Sequence, residues 1–247
     1  MRVVATRLHT SNEAVPIEPE QIKVWCQNVL SYSDLLIIVV DDCYFQRVGK
    51  MLMSFKNRVK LFHIHPWISY TQPLNMIIEK ALSIGATKLL FQSIEVTALP
   101  EDIKSLECQL DNNTLVVGAK LHKMHGHIDE KVELTGWTTP WNTLALWNLH
   151  KLGLTGFLTV SSGNLPDIPG GVEEVVTISL LQTLHPYSMN AKIVELKGVT
   201  WDTKWSCKER EAYHIAKMAS KNERAKKQLK ALGISPGFAM IMKDKNG

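Results

Sequence analysis

At 247 residues, with a formal charge of +4 and 45% hydrophobic residues, the chain is large enough for one sizeable globular domain or two small ones. The excess of cations is too slight to argue for nucleic acid on its own, and it favours an anionic ligand only slightly. Cys26, Cys43, Cys108 and Cys207 are scattered, with no CxxC pair, which favours reduced thiols over a disulfide framework.

MRVVATRL opens the chain as a candidate strand, and a polar turn follows at His9 to Glu13. This N-terminus lacks an apolar core of signal-peptide length. No later run reaches about 18 uninterrupted apolar residues, so a soluble, cytoplasmic protein is expected. Pro19 to Leu30 reads as a helix with Ile22, Trp25, Cys26 and Val29 on one face. LLIIVV (35–40), bounded by Asp34 and by Asp41-Asp42, suits a strand buried on both faces. Residues 45–56 look helical, VKLFHIH (59–65) alternates like a strand, and Pro73 to Ile84 reads as a helix ended by Gly85. TKLLFQSIEV (87–96) is the next strand, Pro100 to Leu110 the next helix, and NTLVVGAKL (113–121) another strand.

Beyond residue 120 the pattern is less regular. A His-rich loop and a Trp- and Thr-rich stretch occupy 122–143, and 144–152 is predicted helical. A Gly/Ser/Pro-rich loop covers 161–171, a helix runs from Glu173 to Leu184, and AKIVELKGV (191–199) reads as a last strand. Ser206 to Ala231 is helical and basic, while GISPGFAMIMKDKNG shows no pattern. Glu209, Glu211 and Glu223 interleave with its lysines as on an ordinary solvated helix, although the charge also suits an anionic membrane surface.

Strands alternating with helices over short connections predict an α/β fold, a mainly parallel Rossmann-like sheet with helices on both faces. Ligands of such sheets bind outside the carboxyl ends of the strands, where Asp41-Asp42 and Glu95 end two apolar runs. Asp41-Asp42 suits a contact to a ribose or a base equally with a strand end that meets solvent. Glu173 and Glu174 sit in the first turn of a helix, where the macrodipole favours acids without any further role. His122, His125 and His127 have a spacing that can reach one metal ion, but no Cys or carboxylate completes a recognised site.

The order strand, helix, IIVVDD, helix, strand, then QPLNMIIEKALSIGATKLLFQSIEV, LPEDIKSLECQL and NTLVVGA resembles the nucleotide-binding half of GT-A glycosyltransferases, particularly inverting family two. The match covers roughly residues 1–121. TTPWNTLALWNLHKLG, GGVEEVVTISLLQTL and AKIVELKGVTWDT extend it more loosely. The resemblance implies a single GT-A-like domain over 1–205, with a nucleotide-binding half (1–121) and an acceptor-side half (122–205), followed by a basic helical extension over 206–247. It implies a nucleotide-sugar donor, an acceptor of unknown class and an inverting transfer of sugar. Asp41 or Asp42 would contact the nucleoside, with Asn75 and Ser93 in the same nucleotide site. Glu174 would be the general base and Glu173 its support.

The chain departs from the family at the Asp-x-Asp position, where Ser93-Ile94-Glu95 stands. That cluster holds Mn²⁺ or Mg²⁺ in the family, and such ions take hard oxygen ligands. Glu95 is left as one direct carboxylate, and an imidazolium from the His122, His125 and His127 loop is a candidate substitute for the missing charge. Cys43 replaces the Gly-Ser pair common after the acids, no Gln-x-x-Arg-Trp motif occurs, and Trp201-Asp202 stands where many members place a histidine. A glycosyltransferase is therefore expected, the alternative being an inactive protein of the same fold that binds a nucleotide or glycan.

Overall fold

The computed structural model describes residues 1–10, 17–121, 127–202 and 208–244. The first half alternates as expected: β1 (Arg2–Leu8), α1 (Pro19–Val29), β2 (Leu35–Val40), α2 (Asp42–Leu52), β3 (Val59–His63), α3 (Gln72–Ser83), β4 (Lys88–Gln92), β5 (Val96–Thr97), α4 (Pro100–Gln109) and β6 (Thr114–Ala119). The second half adds β7 (Lys131–Glu133), β8 (Leu144–Asn148), α5 (Leu149–Leu152), α6 (Glu173–Leu184), β9 (Asn190–Glu195), β10 (Thr200–Trp201), α7 (Lys208–Ala219), α8 (Lys221–Leu232) and β11 (Phe238–Lys243).

Nine strands form one sheet in the order β3-β2-β1-β4-β8-β6-β9-β11-β7, and β5 pairs with β10 in a small second sheet. β1, β2, β3 and β4 run parallel, as do β6, β9 and β11. β8 lies antiparallel between β4 and β6, and β7 pairs antiparallel with β11 at the edge.

The core lies in two layers that follow the strand alternation. Val3 and Ala5 of β1, Ile37 and Val39 of β2, and Leu89 and Phe91 of β4 face α3, α5, α6 and α8. Val4, Leu36, Ile38 and Leu90 face α1, α2 and α4 on the other side. Strands covered on both faces must be apolar throughout, which is why LLIIVV carries no alternation.

Three readings of the second half are corrected. Residues 144–152 are not one helix: Leu144 to Trp147 are fully buried in β8, and only Leu149–Leu152 turn helically. Four consecutive apolar residues read equally at a period of 2 or 3.6, and the slot between β4 and β6 decides for strand. Asn148 then caps the short helix, accepting from the Lys151 N–H at 3.3 Å. The pattern-free ending forms β11, parallel to β9, so AKIVELKGV is not the last strand and the C-terminal segment contributes to the main sheet. The helical stretch before it is two helices that meet at Ser220, not one.

Candidate functional site

The carboxyl ends of β1 and β4, together with the start of antiparallel β8, bound a cavity of about 390 Å³. The other wall comes from the turn before α6 and from the junction of α7 and α8. The cavity therefore gathers residues from both halves and from the C-terminal segment.

Gly170-Gly171-Val172 delivers the acids of α6 to this cavity. Gly171 has φ +84, and a Cβ there would meet Arg224 Nη1 at 2.7 Å, so only glycine fits. Val172 is held at φ 54, a left-handed conformation that costs a β-branched residue on the order of 1–3 kcal/mol. The turn is fixed from behind by α8. Gln228 Nε2 donates to the carbonyls of Pro169 and Gly171, each at 2.7 Å. Arg224 Nη1 donates to the Gly170 carbonyl at 3.0 Å.

Glu173 and Glu174 are 3% and 6% exposed, so both carboxyls face the cavity rather than bulk solvent. Glu173 Oε1 accepts from Arg7 Nη1 and Nη2 at 3.3 and 3.2 Å and from Asn142 Nδ2 at 3.4 Å. Burial alone would raise its pKa, but the Arg7 charge and the hydrogen bonds hold it below the usual carboxylate range. Glu174 Oε1 accepts the Asn142 backbone N–H at 2.7 Å. Burial, and then the neighbouring Glu173 charge, push the Glu174 carboxyl up to about 7. Asn142 links both acids to the core, because its Oδ1 accepts from Trp147 Nε1 at 3.0 Å.

On the same wall as these acids stand three cations from the C-terminal helices, Lys217, Lys221 and Arg224. Lys221 Nζ sits 3.2 Å from the centroid of the Trp141 ring, which also lines the cavity. Burial lowers the Lys221 pKa to about 7, partly opposed by the Glu174 charge. The spacing 217, 221, 224 is one helical face carried across Ser220, whose N–H donates to the Ala216 carbonyl at 3.1 Å. Arg224, Ala225, Gln228 and Leu229 are buried, so α8 is not the evenly solvated helix that its interleaved charges suggest.

The other expected site residues divide. Ser93 and Glu95 line the cavity on the turn after β4. Gln92 shapes that turn, accepting from the Tyr32 hydroxyl at 2.9 Å and donating to the Val96 carbonyl at 3.0 Å. The polar break after LLF thus begins with a buried structural amide. Asp41, Asp42, Asn75 and His127 do not line the cavity. Asp41 caps α2, accepting the N–H of Tyr44 at 3.0 Å and that of Thr10 at 2.6 Å. Asp42 pairs with His63 Nε2 at 2.6 Å and His65 Nδ1 at 2.7 Å. Asn75 pins Phe157, donating to its carbonyl at 2.9 Å and accepting its N–H at 2.8 Å. His127 donates its backbone N–H to Glu130 at 2.7 Å, and His122 and His125 lie outside the described residues.

Among the described residues, no three His, Cys, Asp or Glu side chains converge on a point that could hold a metal ion. Asp202 donates its backbone N–H to the Glu95 carbonyl at 2.9 Å, yet it is exposed and does not line the cavity. Glu95 and Ser93 offer one carboxylate and one hydroxyl at this turn, a weaker donor set for Mn²⁺ or Mg²⁺ than two carboxylates would be. Sequence reading missed Arg7, Asn142, Lys217, Lys221 and Arg224. The cations alone left a signal, their i, i+4, i+7 spacing.

No protein-family model matches the sequence, and no curated protein matches it. Solved structures do. The 4-diphosphocytidyl-2C-methyl-D-erythritol synthase of Anaerococcus prevotii aligns with a TM-score of 0.55 and 12% identity, over 88% of this chain and 98% of its own. GalNAc-T7, solved with UDP, GalNAc and Mn²⁺, aligns with a TM-score of 0.54 and 9% identity, over 87% of this chain and 47% of its own. TarS of S. aureus aligns with a TM-score of 0.50 and 14% identity, over 92% of this chain and 41% of its own. This chain thus spans less than half the length of the last two. It shares their GT-A-like fold, a mainly parallel mixed sheet covered by helices.

Proposed function

We propose that the protein transfers a glycosyl group, with inversion, from a nucleotide-sugar donor to an acceptor hydroxyl. The observation that carries this reading is Glu174, a buried carboxyl near neutral pKa that faces a polar cavity at the carboxyl edge of the sheet. The acceptor oxygen bonds to the anomeric carbon as the bond from that carbon to the diphosphate breaks. The electron pair leaves with the nucleoside diphosphate, and the acceptor proton passes to Glu174. A base with a pKa close to the working pH is well matched to this step.

Glu173 is the positioning residue. Held ionised by Arg7, it raises the proton affinity of Glu174 and fixes Asn142, which in turn orients Glu174. Ser93 and Glu95 offer a hydroxyl and a carboxylate to the donor's ribose or sugar hydroxyls. Trp141 offers an apolar face under Lys221.

A thermal-shift panel of nucleotide sugars identifies the donor, after which its turnover is followed in the wild type and in Glu174→Gln. The variant is expected to bind the donor and to lose roughly 10²- to 10⁴-fold in rate, the range supplied by a general base. Wild-type turnover in Glu174→Gln overturns the assignment of the base. Binding without turnover in the wild type favours a nucleotide-binding protein of the same fold.

A further inference from the structure

We infer that Lys217, Lys221 and Arg224 receive the diphosphate of the donor in place of a divalent cation, so that donor binding requires no metal ion. This rests on the transferase reading above and concerns how the same cavity handles negative charge. A departing nucleoside diphosphate gains a full negative charge, and a transferase must supply fixed positive charge where it develops.

Two observations on opposite walls point the same way. On the β4 side, the turn that would carry the metal offers only one carboxylate, Glu95, and the Ser93 hydroxyl, a sparse donor set for Mn²⁺ or Mg²⁺. On the α7–α8 side, three cations line the cavity from one helical face. Neither Lys217 nor Lys221 forms an ion pair with a described residue; burial lowers the pKa of both, so an incoming anion would favour their charged forms. Arg7, by contrast, is engaged by Glu173.

Rigid elements hold these cations in place. Lys221 follows directly on Ser220 and packs against Gly136, where a Cβ would clash with the Lys221 backbone. Its ammonium lies on Trp141, and Arg224 is anchored to the Gly170 and Lys217 carbonyls. The cations are also coupled to the base. Glu174 and Lys221 each feel the other's charge, so the proton on one depends on the state of the other.

The test is isothermal titration of the full chain with UDP, CDP, GDP and ADP, in EDTA and in Mn²⁺. At least one nucleotide is expected to bind in EDTA, with an affinity that Mn²⁺ changes by less than about threefold. Lys217→Ala and Lys221→Met are each expected to weaken it roughly tenfold, the scale of a hydrogen bond to a charged group. Lys217→Arg should retain the affinity. Comparing Lys217→Ala with Lys217→Arg separates loss of the charge from loss of packing. Binding seen only with Mn²⁺ overturns the inference and leaves the transferase reading standing. Wild-type affinity in both lysine variants overturns it as well. No binding by any of the four nucleotides in either condition overturns both.

Discussion

Two helices of this chain open with adjacent acids, Asp41-Asp42 at α2 and Glu173-Glu174 at α6, and the two pairs have opposite surroundings. Both follow the sheet's carboxyl edge or a tight turn, and both are favoured by the positive end of a helix. At α2, Asp41 is taken up by two backbone N–H groups and Asp42 by two imidazoles at the surface. At α6, the acids are buried, share Asn142, and differ sharply in proton affinity. Residue type and spacing are nearly the same in the two places. What separates them is desolvation and the charge of the nearest partner, and these separate a helix cap from a candidate acid–base centre.

The comparison breaks most visibly if Arg7 is removed. Arg7→Met leaves Glu173 buried without its guanidinium, and unfolding in urea is expected to show a loss of about 2 kcal/mol, less than a fully buried pair because Arg7 is one-third exposed. Adding Glu173→Gln should recover much of that loss, as a double-mutant cycle would measure. A smaller effect is expected from pH. The Glu174 carboxyl has a folded-state pKa near 7, above the ordinary 4.5, so folding favours its neutral form. Its stabilising contribution is complete below the unfolded pKa and is lost as pH rises through about 7. Glu174→Gln removes that loss, so from about pH 6 to about pH 8 the variant should gain about 1 kcal/mol relative to the wild type. A difference that stays constant across this range would mean that Glu174 is an ordinary carboxylate.

The sequence made much of the fold legible, because strands buried on both faces announce themselves as apolar runs. LLIIVV and TLVVGA needed nothing beyond their own residues. LALWN failed for the same reason that those succeeded. An apolar run next to a capping Asn is compatible with either period, and only its neighbours β4 and β6 settle it. β11 was invisible because it is an alternating strand near an edge, with Phe238 and Lys243 exposed among buried residues. The candidate site was half legible. Glu173, Glu174, Ser93 and Glu95 stand where motif order places them, while Arg7, Asn142 and the α7–α8 cations reach the cavity through contacts that no local pattern encodes. A charge stripe on a helix reads as solvated until the element beneath it is known.

The smallest effect is expected where motif order argues most strongly for function. Asp41→Ala removes a helix cap and should cost about 1 kcal/mol of stability. Asp42→Asn weakens an exposed pair with His63 and His65 and should leave the melting temperature unchanged. Neither is expected to alter the affinity for whichever nucleoside diphosphate binds, since both side chains lie outside the cavity and already have partners. Titration of that nucleotide into the two variants decides the point. A loss of affinity in Asp42→Asn alone would mean that the imidazoles release this carboxylate to a ligand and that the nucleoside binds beyond the cavity, beside β2. Loss in Asp41→Ala alone would instead trace to the Thr10 backbone N–H, which that carboxylate holds at the mouth of β1.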